Sequence, residues 1–410
     1  MKTASHWLGL LAALSLSSAE AVNQEIRALF QPDSSQPNKN VFVNKTPNSG
    51  YCATYPGQCS LNNMFSIQIP VRFESTRAIA PGDGLGVRVP ANWRRLTVTN
   101  RDTQETETVE VRIIGIGSNY ILSDSAANLV GVTNVLEGHQ KLWTSNSWVY
   151  APSPCGYSGV GAYSPASYRF FWKAPVEAAC TKVAAYRIPS MSFDTLDFAY
   201  ELRTPNPLGM SSGLYTGSLS YTLGPNGDFQ MGPMMVPDDG NLTLNFVLDV
   251  QHTLKVELPP GGNRITLEPE GGWARWLDSG HKPLKIYRDQ PFYISASTRF
   301  RVWMECAEGA PGGMTDDACV MRSPATSRRL LFRPRLSLPS GIRDNIGREV
   351  RHQAIYHRRP LVVYTPGHYV DRKQGSLRFE INRTDIVNLL QPGISDDFVG
   401  FVTVIWDSDI

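Results

Sequence analysis

Between Leu242 and Leu258, eight apolar residues fall on even positions: Leu242, Leu244, Phe246, Leu248, Val250, Leu254, Val256 and Leu258. Only His252 interrupts the run. Side chains of an extended chain alternate between two faces, so a period of two predicts one or two strands with a single apolar face. The pattern recurs along the chain. FSIQIPVRF (65–73) puts Phe65, Ile67, Ile69, Val71 and Phe73 on one side, and TVEVRIIGI (108–116), YRFFWKA (168–174), LDFAYEL (196–202) and LYTGSLSYTL (214–223) follow suit. After residue 258 come FYISASTRFRVWMEC, RLLFRPRLSL, PLVVYT and SLRFEI. Pro81-Gly82-Asp83-Gly84, Pro205-Asn206-Pro207 and Pro225-Asn226-Gly227-Asp228 separate strands as turns. Strands at this spacing, broken by Gly and Pro, predict an all-β chain of sandwiches. Helical periodicity is nearly absent; its best candidate is short, Arg383 to Leu390, with Asp385 near its start.

The chain ends on FVTVIWDSDI (401–410). Val402, Val404 and Trp406 share one face; Phe401, Thr403 and Ile405 share the other. A strand apolar on both faces is either buried in a sheet or made to pair with another chain, because an exposed one invites pairing.

The 410 residues suit two domains. Lys2, the apolar run Trp7 to Leu16 and the Ala19-Glu20-Ala21 site read as a secretory signal over residues 1–21, with the mature chain starting at Val22. No later apolar run is long enough for a transmembrane helix. Residues 22–48 are polar, carry Pro32, Pro37 and Pro47, and read as a loose entry segment. The breaker-rich GPMMVPDDG (232–240) places a boundary between 22–236 and 237–410, with TPNPLGMSSG (204–213) as the competing place. A formal net charge of +2 argues against a nucleic-acid partner.

Six cysteines, Cys52, Cys59, Cys155, Cys180, Cys306 and Cys319, read in a secreted chain as three disulfides. Six allow about 15 connectivities; nearest-neighbour pairing is the simplest and crosses no plausible boundary. No C-x₂-C pair suggests zinc.

Catalytic constellations are lacking. GYSGVG (156–161) has Val160 where a nucleophile elbow needs Gly. GDGLGV (82–87) precedes no helix and reads as a turn, not a phosphate cradle. His352 and His357 read as a basic exposed loop, and Asp316-Asp317 as a solvated turn. The expectation is a non-enzyme with no cofactor and no metal. Aromatics are more suggestive: residues 141–172 hold three Trp and several Tyr in a Gly- and Ser-rich setting. Aromatic faces with a few polar groups are the logic of a sugar site. Trp143, Trp148, Tyr157 and Tyr163 are the candidate contacts, while Phe170 and Trp172 read as core. Arg94 and Arg95 could serve an acidic receptor.

Four stretches together resemble two-domain tip adhesins of chaperone–usher fimbriae: FVNKTPNSGYCATYPGQC (42–59), GLYTGSLSYTLGPNGDFQMG (213–232), LTLNFVLDVQHTLKVELPPGG (242–262) and GFVTVIWDSDI (400–410). The resemblance implies an N-terminal lectin-like adhesin sandwich and a C-terminal immunoglobulin-like pilin domain that lacks its last strand. The partners it implies are a periplasmic fimbrial chaperone, an outer-membrane usher, the next fimbrial subunit as strand donor, and a host or surface glycan. Export would run through the periplasm to the fimbrial tip. Val402, Val404 and Trp406 would then wall the groove beside the missing strand, and the Ile410 carboxylate would anchor to basic chaperone residues. Asp409 and Asp397 stand where the family's pattern has an aromatic and a Gly. Residues 22–40 alternate poorly and carry two prolines, so the chain would accept a strand without donating one. The alternatives are a non-adhesive subunit or assembly initiator, or a secreted carbohydrate-active β-sandwich enzyme.

Overall fold

A computed structural model describes residues 22–62, 64–159, 161–309, 316–381, 383–391 and 395–408. The expected signal and Ile410 lie outside these residues. The principal strands of the first half are β1 (Val22–Phe30), β2 (Arg94–Asn100), β3 (Thr106–Leu122), β4 (Gly156–Tyr157), β5 (Ala162–Tyr163), β6 (Ser167–Lys173), β7 (Leu196–Arg203), β8 (Gly213–Thr222) and β9 (Asn241–Val250). Those of the second half are β10 (Leu254–Glu257), β11 (Ile286–Ala296), β12 (Phe300–Cys306), β13 (Cys319–Arg322), β14 (Arg329–Ser337), β15 (Val363–Pro366), β16 (Val370–Ile381) and β17 (Val402–Asp407). The chain is all-β in its framework. Helices are short connectors, and Arg383–Leu389 is one of them, where sequence placed it.

The long β3 organises the first half. Its first part pairs β2, its last part pairs β6, and β7 runs along its middle, residues 110–117. From β2 the sheet continues through β8 and β9 to β1. Alternate residues of these strands fill one core, in which Val109, Val111, Ile113, Phe170, Trp172, Tyr215 and Tyr221 are buried.

Two expectations need correction here. Val22–Phe30 is not a loose entry segment. It is a nine-residue strand lying parallel to β9, from Val22 opposite Leu242 to Phe30 opposite Val250. Ile26, Ala28 and Phe30 bury on one face, and Val22 donates from its backbone N to Asp239 at 3.0 Å. Further, β9 does not open the second unit but completes the first. It pairs β8 on one side and β1 on the other, and its even residues Leu242 to Val250 lie in the first core. The expected boundary at 236/237 would cut that sheet, so we place the changeover at Gln251–Thr253.

Beyond it, two sheets face each other. One runs β10-β11-β16-β14-β13; the other runs from Ile342–Arg343 through β15 and β12 to β17. Phe292, Ile294, Phe300, Val302, Met304, Leu336, Tyr364 and Leu377 bury between them.

His252 sits on the changeover. Its Nε2–H donates to the Met210 carbonyl of the first unit at 2.9 Å, leaving Nδ1 to accept from the Ser297 hydroxyl of the second at 3.1 Å. The Phe30 ring meets the imidazole edge-on at 5.5 Å. The break in the even apolar run is therefore the break between cores.

Candidate functional site

The last described strand is an edge. β17 pairs β12 antiparallel, from Arg301 opposite Asp407 to Cys306 opposite Val402. Among the described residues, no strand pairs the outer edge of Val402–Trp406. β10 ends the facing sheet in the same way, paired among the described residues with β11 alone. The two edge strands flank one core, and each offers it apolar side chains that remain half-exposed: Leu254 and Val256 from β10, Val402, Val404 and Trp406 from β17. A closed sandwich would bury such positions fully. Among the described residues, then, β10 and Val402–Trp406 stand as two strand edges over an apolar floor.

Trp406 forms that floor. Its ring meets Phe292 of β11 at 5.1 Å and Phe300 of β12 at 5.9 Å, so it touches strands of both sheets. Phe292 lies opposite Gly375 of β16, and a Cβ at that glycine would stand 2.4 Å from the Phe292 ring. The absent side chain is what lets the ring lie down against β16.

Just before β17 the chain crosses between sheets. Val399 and Arg322 of β13 exchange two backbone hydrogen bonds of 2.9 and 3.0 Å, and Ala307 N donates to Phe401 O at 3.1 Å. The Cys306–Cys319 disulfide ties β12 to β13 at that end. The outer side of the strand is apolar too, with Phe401 70% exposed.

The sugar candidates of the first unit separate into two groups. Trp143 and Trp148 are buried, which overturns them as ligand contacts. Trp148 stacks on Trp172 at 5.0 Å, Trp143 meets Trp148 edge-on at 5.2 Å, and the Trp172 indole N–H donates to Trp148 O at 2.6 Å. Their loop is clamped by Lys182, buried on the strand Cys180–Val183, whose ammonium donates to the carbonyls of Ser145, Asn146 and Ser147 at 3.0, 3.2 and 3.0 Å. Burial lowers its pKa to about 8. Tyr157 and Tyr163, in contrast, are 55% and 48% exposed.

Arg94 forms an ion pair with Asp228 and lies over the Tyr221 ring at 4.9 Å. Arg95 pairs with Glu110 at 2.8 Å. Both arginines stand on β2 with carboxylate partners, so an anionic receptor would have to displace those partners.

The disulfides are the nearest-neighbour pairs Cys52–Cys59, Cys155–Cys180 and Cys306–Cys319. The first closes the small helical element after Ser49-Gly50. Gly50 has φ 67°, and a Cβ there would stand 2.5 Å from Asp197 Oδ2. That carboxylate, buried on β7, accepts from Tyr51 N at 2.9 Å, Gln68 Nε2 at 3.0 Å and Arg169 Nη2 at 2.7 Å. Burial raises the Asp197 pKa against the pull of Arg169. The glycine is needed for its left-handed backbone and for this close approach.

Other sequence candidates have structural partners. Asp316 accepts from Arg359 at 2.5 Å, Asp317 lies 3.2 Å from Arg335, and His357 Nδ1 accepts from Cys306 N at 3.1 Å. Gly84–Val87, read as a turn, is a strand paired with Cys180–Val183. No metal-binding cluster occurs among the described residues.

No family model matches the chain, and no curated protein matches it. Among solved structures, it is similar to the CfaE adhesive subunit of the CFA/I fimbria of enterotoxigenic Escherichia coli, at 8% identity over 95% of this chain and 93% of that one, with a TM-score of 0.25. It is also similar to a chain of a chaperone–tip adhesin complex of CFA/I fimbriae, at 8% identity, 96% and 98% coverage and a TM-score of 0.27. A third similarity is to the CsuC–CsuE chaperone–tip adhesion subunit pre-assembly complex of archaic Csu pili from Acinetobacter baumannii, at 8% identity, 94% and 98% coverage and a TM-score of 0.21. At such identities and TM-scores these likenesses carry no argument, and the functional reading rests on the strand edges.

Proposed function

We propose that this chain is the end subunit of a chaperone–usher fimbria: its second unit accepts a strand from a partner, and its first unit attaches the cell to a surface glycan. The observation that carries the reading is the open seam: among the described residues no strand pairs the outer side of β10 or of Val402–Trp406, over half-exposed Leu254, Val256, Val402, Val404 and Trp406. A strand laid along β17 would satisfy its backbone groups, and alternate apolar side chains of that strand would drop onto the floor. This is β-augmentation, for which main-chain hydrogen bonds supply affinity and alternate pockets supply fit. A periplasmic chaperone, and then the neighbouring subunit that replaces it at the outer-membrane usher, are occupants of this type.

The position at the fibre end follows from β1. A subunit within a fibre must extend an N-terminal strand into its neighbour. Here Val22–Phe30 is bound along the length of β9 in its own sheet. Donating it would strip Ile26, Ala28 and Phe30 from the first core. Val22–Phe30 is therefore not a strand that the chain can lend.

Expression of Val22–Ile410 in a periplasm, with and without a fimbrial chaperone, tests this. A soluble one-to-one complex that forms only with the chaperone is the expected result, and deletion of residues 402–410 should abolish it. A stable soluble monomer whose second unit takes up no strand would remove the reading and bring forward a free lectin or an enzyme.

A further inference from the structure

Three exposed tyrosines line one edge of the first unit. Tyr150 is 53% exposed and stacks on Tyr157 at 6.2 Å with 16° between the rings. Tyr163, itself exposed, stacks on buried Tyr168 at 6.2 Å and 17°. Single exposed aromatics are ordinary, but parallel exposed rings grouped on one edge are not.

The strand register explains the grouping. β4 and β5 both pair with β6, placing Tyr157 opposite Trp172 and Tyr163 opposite Tyr168. Directly opposed residues project to the same face of a sheet. Trp172 and Tyr168 share a face because they are separated by an even number of residues. The two exposed rings thus stand four positions apart along one strand, about 13 Å, on one side of it.

The mounting is rigid. Cys155–Cys180 fixes the turn before β4, the Ser158 hydroxyl donates to Phe171 O, and Lys182 holds the loop leading to Tyr150. Beneath Tyr163 and Tyr168 lies buried His139, its Nε2–H donating to Ser164 O at 2.8 Å and its Nδ1 accepting from Tyr120 Oη at 2.7 Å. Hydroxyls border the row: Ser164 and Ser167 lie 2.8 Å apart, and each tyrosine adds its own. Tyrosine gives a large face with little rotamer freedom to lose, so rings held in place bind without much ordering cost.

We infer that Tyr150, Tyr157 and Tyr163 form a platform for a linear, uncharged oligosaccharide laid along the edge of β6. This deepens the attachment reading and rests on it. Pyranose rings present C–H faces that pack on aromatic faces, while their rim hydroxyls meet serine and tyrosine hydroxyls. A row of this length suits a ligand longer than one sugar, because one ring cannot reach both Tyr157 and Tyr163. The arginines that would favour an acidic sugar are paired with Asp228 and Glu110 on β2, which meets β3 at residues 106–111, whereas β6 meets it at 115–121. Flat platforms bind weakly one at a time, and many fibres on one cell supply the avidity.

The test is saturation-transfer NMR on the full chain, held by its strand partner where it requires one. The probes are lactose, lacto-N-neotetraose, cellotetraose and sialyllactose. Transfer to at least one neutral tetrasaccharide, stronger than to lactose, is expected. Tyr157→Ala and Tyr163→Ala should each weaken it about tenfold or more, with thermal unfolding unchanged; Tyr157→Phe should retain it. Transfer only to sialyllactose, to no sugar, or undiminished in both alanine variants would overturn the platform. Strand acceptance is read separately, from chaperone co-purification, so each idea can fail while the other stands.

Discussion

Trp406 stands edge-on to Phe292, centroids 5.1 Å apart at 62°, and that contact joins the terminal edge strand to the facing sheet. Trp406→Ala should therefore act on the second unit alone. Truncating a buried aromatic costs about 3–5 kcal/mol, and a half-exposed one falls at the lower end. Thermal unfolding should show the second transition lowered and the first unmoved. Gly375→Ala should act at the same place by pushing Phe292 toward Trp406.

A strand supplied in trans should stabilise the seam. A synthetic peptide of alternating apolar residues, at a hundred times its Kd, would add about 2.7 kcal/mol to the second transition by mass action. Val404→Asp places a carboxylate on the apolar floor and should weaken peptide binding by about 2 kcal/mol or more. Isothermal titration of the two chains checks it; equal affinities would mean that the peptide lies elsewhere.

Two imidazoles, buried His139 and half-buried His252, make stability depend on pH. His139 and His252 both have pKa values below the ordinary 6.5, held down chiefly by burial. Unfolded histidines take up protons near pH 6.5, while the folded ones wait until lower pH, so the unfolded state binds more protons in that window. Their contribution is full above pH 6.5 and is lost as pH falls toward the lowered folded values. Melting temperature should drop between pH 7.5 and 5.5. His139→Gln should flatten the pH slope of the first transition, and an unchanged slope would exclude His139 as its source.

Lys182 should prove structural. Lys182→Met leaves the carbonyls of Ser145, Asn146 and Ser147 without their donor, at a cost of about 1–3 kcal/mol. Removing Cys155–Cys180, which closes a separation of 25 residues, should cost about 3 kcal/mol by loop entropy. Both should alter the near-ultraviolet circular dichroism of the Trp148 cluster.

Much of the framework was legible in the sequence because one-faced strands write their period plainly. β9 is the clearest case, and β17 announced itself by being apolar on both faces. Val22–Phe30 escaped because Gln24 interrupts the apolar face on its even positions; only Ile26, Ala28 and Phe30 are buried, and its other edge is mostly open among the described residues. The changeover between units was legible and misread. The breaker-rich 232–240 attracted the boundary, whereas the single polar residue in an apolar face, His252, marked it. Within the tryptophan- and tyrosine-rich stretch, composition says that aromatics abound but not which way each points. Trp143 and Trp148 turn inward on connecting loops, where no period exists to read. Partners such as Asp228 for Arg94 lie more than a hundred residues away and are visible only once β2 and the loop after β8 meet.

On the reading proposed here, the parallel pairing of Val22–Phe30 with β9 would set the valence of the molecule. On that reading, an interior subunit is bifunctional, one acceptor and one donor, and can extend a polymer without limit. This chain would be monofunctional, and a monofunctional monomer in a linear polymerisation is an end group. Its copy number would then set how many fibres a cell carries, and its ratio to the bifunctional subunits would set their mean length.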